Sequence, residues 1–350
     1  MTLPQTYFTV LLVMIFGTVL LGLWASVYRI GGAWRFEIFY LDFAFGAFLT
    51  AVICAFTLGD LGFDGFSIMD DLSHARKRQL FCGLIMGVVF NLGNLFMVSA
   101  MSIGGMSLAF PVAIGLTILT GVVVAPMLRQ TASPLWLALG CVAIAIAIMC
   151  SVLAYQRAAR MRYIPQPDKR KYARRPSFMK APVLAVIGGL ILTGLYPLRD
   201  IALEGETGLG PYGLVLLMSV GMVVSSFVFV LFFMNLPVEG EPLEVGDILK
   251  VRPKNHLLGL ISGMVWTAGA IATAAPQAQA NIPPPAQLSP PLIFALTQTS
   301  ALIAAFLGVT IWNDQRGGDR GARSMSAAML LLYAGGIALI AMALMKGKAA

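Results

Sequence analysis

Ten apolar runs of about 20 residues succeed one another along this chain, each long enough to cross a hydrocarbon core about 30 Å thick. They can be read near residues 8–28, 38–58, 80–101, 105–127 and 134–154, and again near 181–199, 211–234, 256–276, 289–312 and 325–345. In a chain of 350 residues this leaves connections that are mostly too short for an aqueous domain. An ordinary soluble chain carries about 25% charged residues; here the share is 11%, against 58% hydrophobic. The expectation is an all-α integral membrane protein with ten transmembrane helices, in which any chemistry takes place between helices.

The first run lacks the positive leader of a secretory signal. Although Trp24-Ala25-Ser26 has the look of a cleavage region, residues 8–28 are read as a span. Cys54, Cys82, Cys141 and Cys150 all fall inside apolar runs without CxxC spacing, so they read as small core residues and not as a disulfide framework or metal site. The net charge of +8 is unevenly placed. Between the fifth and sixth runs, YQRAARMRYIPQPDKRKYARRPSFMK holds nine Lys/Arg and one acid. Loops after odd-numbered runs hold seventeen Lys/Arg, the termini and even loops seven. The positive-inside rule then puts the central loop in the cytoplasm and both termini outside. The compactness of the chain suggests a bacterial inner membrane. A basic loop beside a bilayer meets anionic lipid, a simpler account of the charge than nucleic-acid binding.

One half of the chain is written twice. GLIMGVVFNLGN at 83–94 returns as GLISGMVWTAGA at 259–270, an offset of 176. At an offset of 172, Leu12, Ile15, Gly17, Leu20, Gly22 and Leu23 meet Leu184, Ile187, Gly189, Leu192, Gly194 and Leu195; Trp24 meets Tyr196, and Tyr40 meets Tyr212. At an offset of 180, Leu108, Pro111, Leu116 and Thr117 meet Leu288, Pro291, Leu296 and Thr297. The drift falls in connections, as expected for a duplication comprising residues 1–154 and 181–350, joined by a basic linker at 155–180. An odd number of spans per half inverts the second copy, and inverted repeats give alternating access to a midplane site.

The candidate site follows a stripe. Gly83 and Gly87, like Gly259 and Gly263, have the small-xxx-small spacing of a close helix crossing. On the same face of the third span follow Asn91 and Asn94, costly in hydrocarbon unless they pair or face a wet cavity. Their counterparts are Thr267 and Ala270. Interhelical glue is one reading of these amides. A wall of the solute site is the other, favoured because an asymmetric solute needs different groups on its two sides. Trp266, beside Thr267, is the best placed aromatic. Trp24 and Tyr196 are either further pocket rings or interfacial anchors. In the fourth and ninth spans, prolines near the head free carbonyls, and Thr117, Thr120, Thr297, Gln298 and Ser300 add hydroxyls and an amide. The expected site thus lies among the third, fourth, eighth and ninth spans.

Ionisable groups inside spans are few. Asp42 sits about one turn into the second span and is the candidate for coupling a solute to a proton, with Glu37 next in line. Arg29 or Arg199 could instead neutralise Asp42, and Glu37 beside Arg35 is also consistent with the interface. His74 and His256 read as loop residues. Neither a GxxxxGK[ST] loop nor HExxH, a Ser/His/Asp set or a metal cluster can be assembled, so no cofactor, metal or catalytic residue is expected.

Trp34-Arg35-Phe36-Glu37, then Tyr40, Asp42 and Ala55-Phe56-Thr57-Leu58-Gly59, together resemble a branch of the drug/metabolite transporter superfamily. That branch contains plant ureide permeases and bacterial sugar-uptake proteins of the glucose/rhamnose type. Phe90-Asn91 with Asn94, Ala109-Phe110-Pro111-Val112 with Gly115, Leu209-Gly210-Pro211-Tyr212 and Gly263-Met264-Val265-Trp266 extend the resemblance over most of the chain. It implies two inverted five-helix repeats and secondary active uptake, coupled to protons, of a ureide, a nucleobase-like heterocycle or a sugar. An exporter of metabolites or drugs is the alternative within the superfamily, and an integral membrane enzyme the remote one. The chain departs from the plant ureide permeases in lacking the phosphate-loop-like motif of their larger central loop. It also carries a longer, proline-rich segment at 277–291. The expected partners are the solute, a proton or another ion and the bilayer, with self-association left open.

Overall fold

The computed structural model describes residues 2–32, 34–61, 67–124, 132–162, 178–277 and 282–347. Among the described residues, ten helices are long and apolar enough to cross a membrane: Tyr7–Ile30, Phe36–Phe56, Lys77–Gly104, Met106–Val124, Pro134–Arg162, Lys180–Ala202, Pro211–Asn235, Pro253–Gln277, Pro290–Thr310 and Arg320–Gly347. They are called here the first to the tenth span. Strands are absent among the described residues. Phe16, Val142, Met149 and Val228 are each more than half exposed. Such faces suit lipid, against which a helix has no hydrophobic reason to hide them.

Three features depart from the runs read in the sequence. The fifth span continues to Arg162, so the start of the basic segment is helical, while 163–177 lies outside the described residues. The sixth span is broken into Lys180–Leu192 and Leu195–Ala202. Pro197 explains the break: it has no N–H for the Thr193 carbonyl, which the Tyr196 N–H reaches at 3.2 Å in a tighter turn. Short helices also form where loops were expected, at Ile68–His74 and Val245–Ile248. The first of these begins on a Ser67/Asp70 capping box. Its buried Asp71 accepts from the Gly210 N–H at 2.8 Å, at the head of the seventh span.

The chain forms two compact units, Met1–Leu95 with Ile191–Ser300, and Phe96–Leu190 with Ala301–Ala350. In the first unit the spans meet at glycines. A methyl at Gly46 of the second span would strike the Leu260 carbonyl of the eighth, and one at Gly263 would strike the Phe43 carbonyl. The third and seventh spans repeat this: Gly221 lies on the Leu84 carbonyl and Gly87 on the Met218 carbonyl. Backbones that approach so closely gain dispersion over their whole length, which is what holds helices together in lipid. The first span joins the eighth in the same way, Gly17 packing on Gly269 and Ala272.

The second unit is built around the fifth and tenth spans. There Gly140 packs on Ile340 and the Gly336 carbonyl, and Gly336 on Ile144 and the Gly140 carbonyl. The fourth span joins them through polar contacts near its head. Pro111 deprives the Ser107 carbonyl of its helical donor, and Ser151 Oγ of the fifth span donates to it at 2.8 Å instead. The Ser107 N–H donates to the Asp314 carboxylate at 2.9 Å, which satisfies an orphan donor of the helix start.

Candidate functional site

The two amides of the third span have opposite fates. Asn91 is fully buried and fully engaged. Its Nδ2 donates to the Met222 carbonyl at 3.1 Å and to Ser225 Oγ at 2.6 Å, and its Oδ1 accepts from Ser226 Oγ at 3.3 Å. Asn94 is as deeply buried, at 1% exposure, yet neither its Oδ1 nor its Nδ2 has a hydrogen-bond partner. The Tyr40 hydroxyl lies beside it but is directed at the Asn91 carbonyl, 3.3 Å away. A buried polar group left unsatisfied costs about 1–3 kcal/mol. Asn94 therefore holds one donor group and one acceptor in reserve.

From Tyr40, beside Asn94, a chain of aromatic rings runs through the second, eighth and third spans. Tyr40 packs on Phe43 at 5.3 Å between centroids, Phe43 on Trp266 at 5.9 Å, and Trp266 on Phe90 at 4.5 Å with planes 30° apart. Trp24, only 3% exposed, closes on Phe43 at 5.0 Å, so its ring belongs to this cluster and not to an interfacial belt. The column continues through Phe39 and Tyr28 to Trp34, in the connection before the second span. The second span was not among those expected at the site, and Phe43 and Tyr40 were not singled out for it. Their closeness to Asp42, two residues before it and one after, was the available signal.

Thr267 is fully buried and donates to the Ala47 carbonyl of the second span at 3.1 Å. Tyr196 and Gln298 are half-buried in the same unit. Thr117 and Thr120 belong to the other unit. Thr117 donates to the Ala113 and Gly189 carbonyls at 2.9 and 3.0 Å, and Thr120 bonds back to Leu116 at 2.7 Å. The expected residues are thus distributed over both units, and the structure brings Asn94, Trp266 and Trp24 to one aromatic cluster.

The acids of the second span are also distinguished. Glu37 is fully buried and held by Arg35 through two hydrogen bonds, 3.1 Å from Nε and 2.8 Å from Nη2. Such a forked pair gives both carboxylate oxygens a donor and fixes the orientation of the side chain. Asp42 pairs with neither Arg29 nor Arg199; its Oδ2 lies 2.8 Å from His256 Nδ1. Arg199 instead donates to Gln277 Oε1 at 2.6 Å. The sequence reads His256 as a loop residue, and the structure differs. The residue lies in the first turn of the eighth span, which Pro253 opens, and its Nε2 is 3.0 Å from the Ile248 carbonyl. The signal was spacing: His256, Gly259 and Gly263 share a face of one helix, as Asp42 and Gly46 do of the other, so the pair extends the crossing by one turn.

Residues 39–177 match the family model of ureide permeases. A search of curated proteins finds no match to the chain. The matched residues include Tyr40, Asp42, Asn91 and Asn94, while His256, Trp266 and Thr267 lie beyond them. With ten apolar helices, the match supports a membrane transporter and points to transport, not catalysis.

Proposed function

We propose that this chain is a permease that takes up a small planar solute of the ureide or nucleobase class, driven by protons, by alternating access. The observation that carries the reading is Asn94. An amide side chain offers one N–H donor and one carbonyl acceptor side by side, and a ureide or cyclic imide offers the complementary N–H and C=O at the same spacing. Rings such as those of Trp266 and Phe90 suit a flat solute, with the amide setting its orientation. Asp42 is the proton carrier in this reading, because Glu37 is neutralised by Arg35. The inverted repeat is supported by the two crossings of the first unit, which exchange when the halves are exchanged. The Lys/Arg distribution supports a cytoplasmic central loop, and the compactness of the chain a bacterial inner membrane.

Thermal-shift measurements on purified protein with allantoin, uracil and glucose test the solute class. Stabilisation by allantoin or uracil that disappears in Asn94→Leu supports the proposal. Stabilisation by glucose alone moves the reading to sugar uptake, and stabilisation by allantoin that survives Asn94→Leu overturns the site.

A further inference from the structure

We infer that Asp42 and His256 hold one proton between them, and that its departure unlatches the second span from the head of the eighth. The inference deepens the proposed proton coupling and rests on it for its use in transport. The proton count itself follows from hydrogen-bond chemistry.

A peptide carbonyl only accepts, so the contact of His256 Nε2 with the Ile248 carbonyl at 3.0 Å requires a hydrogen on Nε2. The other ring nitrogen, Nδ1, lies 2.8 Å from Asp42 Oδ2. That contact needs one more hydrogen, either on Nδ1 of an imidazolium facing a carboxylate or on Oδ2 of a carboxylic acid facing a neutral ring. Both forms contain the same number of protons and differ only in where one of them sits. If this proton passes to water, the carboxylate and the Nδ1 lone pair confront each other at a distance that only a hydrogen bond tolerates. The ring is fixed from behind by Ile248, so the strain falls on the approach of Asp42 to the eighth span.

The pair lies between spans of different halves, and a Cβ at Gly259, one turn along from His256, would meet the Asp42 Cβ directly. Proton loss therefore acts where the two spans touch most closely. Several charged groups lie on the elements packed around the pair. They are Arg29 on the first span, Glu37 on the second, and Glu239, Glu241, Glu244, Asp247 and Lys250 in the connection before the eighth. Arg252 and Lys254 stand at that span's head. Glu37 is taken by Arg35, and Asp247 by Lys250 at 2.7 Å. The Nδ1 contact of Asp42 Oδ2 is thus the place where proton loss breaks a bond between spans.

The chain has two histidines, so nitrogen NMR of full-length protein labelled with [15N]histidine in nanodiscs reads the pair directly, with a His74→Gln variant assigning the signals. The expected result is a hydrogen-bonded Nδ1 at acid pH that loses its hydrogen bond as the sample is made alkaline, while Nε2 keeps its hydrogen throughout. In Asp42→Asn the amide donates to Nδ1 without an ionisable proton, so the Nδ1 hydrogen bond persists at every pH. An Nδ1 without a hydrogen bond at acid pH, or one lost identically in Asp42→Asn, overturns the inference. Uptake in proteoliposomes of whichever of allantoin, uracil or glucose binds then separates it from the reading it rests on. Loss of pH-driven accumulation in both Asp42→Asn and His256→Gln, with solute exchange retained, supports the pair as the coupling group. Accumulation retained only in His256→Gln leaves Asp42 as sole carrier and overturns the inference; accumulation retained in Asp42→Asn overturns the coupling reading itself.

Discussion

The crossing of the second and eighth spans and that of the third and seventh are built alike. Gly46 on Leu260 corresponds to Gly221 on Leu84, and Gly263 on Phe43 to Gly87 on Met218. Even the polar bond one turn along is repeated: Thr267 donates to the Ala47 carbonyl, and Asn91 to the Met222 carbonyl. Asn91 and Thr267 differ in residue type yet do the same work, so a difference in sequence between the halves is not by itself a difference in function. The asymmetry without a structural counterpart lies three residues further, where unpartnered Asn94 stands opposite Ala270 in register. Together with the Asp42/His256 pair at the head of the eighth span, that unspent amide distinguishes the two crossings.

The comparison breaks first at that amide. Asn94→Leu keeps the branching at Cγ and removes a desolvated polar group, which offsets the cost of the bulkier methyls in this buried position, so folded protein should still be obtained. Solute affinity should fall about 10- to 150-fold, for about 1.4–3 kcal/mol of lost hydrogen bonding. The melting curve and a binding titration on the same preparation check both halves. The crossings are sharpened next by Gly87→Ala and Gly263→Ala, which should each lose about 1–3 kcal/mol through overpacking. Unequal losses, measured by unfolding in mixed detergent, would show that the two crossings are not equivalent. Asn91→Ala should cost about 1–3 kcal/mol by giving up the three hydrogen bonds of its buried amide, whereas Thr267→Val, which gives up one hydrogen bond, should cost about 0.5–1.5 kcal/mol. Binding should survive in whatever folds of either variant.

The smallest effect concerns Asp71, which lies near the head of the seventh span. Burial pushes its carboxyl above the usual range, and the bond from the Gly210 N–H offsets this only in part. The folded state therefore holds this proton more readily than the unfolded chain does. The cost of the buried charge is absent at acid pH, grows as pH rises from the ordinary carboxylate value through the raised one, and is complete above it. Asp71→Asn should accordingly raise the melting temperature at neutral pH, with an advantage that shrinks as the pH is lowered.

Much of this was legible in the sequence. The spans announce themselves by length, because lipid tolerates little else. The glycine stripes predict crossings, because small residues decide how near two backbones come. Register was harder. Matching Tyr40 to Tyr212 suggests an offset of 172, while the contacts pair Phe43 with Met218 and Gly46 with Gly221, an offset of 175. Aromatic residues near helix ends are shared by many spans for interfacial reasons, whereas a glycine at a crossing has one possible place. The two asparagines could not be told apart, since both lie on the stripe and only the seventh span's serines decide which is satisfied. The His256 partner of Asp42 lies 214 residues away, and the charged residues flanking Pro253 give that stretch the look of a loop.

The crossings also constrain how the protein is made. The third span meets its partner only when the seventh has been synthesised, with Met222 following Asn91 by 131 residues. At about 5–20 residues per second the ribosome needs about 7–26 s to supply it. Through that interval the glycine grooves of the second and third spans are lined by lipid, and the Asn91 amide must find a temporary partner in its own backbone, in a neighbouring span or in an insertion factor. The first half of this chain is therefore an intermediate that the membrane must shelter, and nascent chains truncated before residue 211 should be far more sensitive to proteolysis and quality control than those that extend past residue 235.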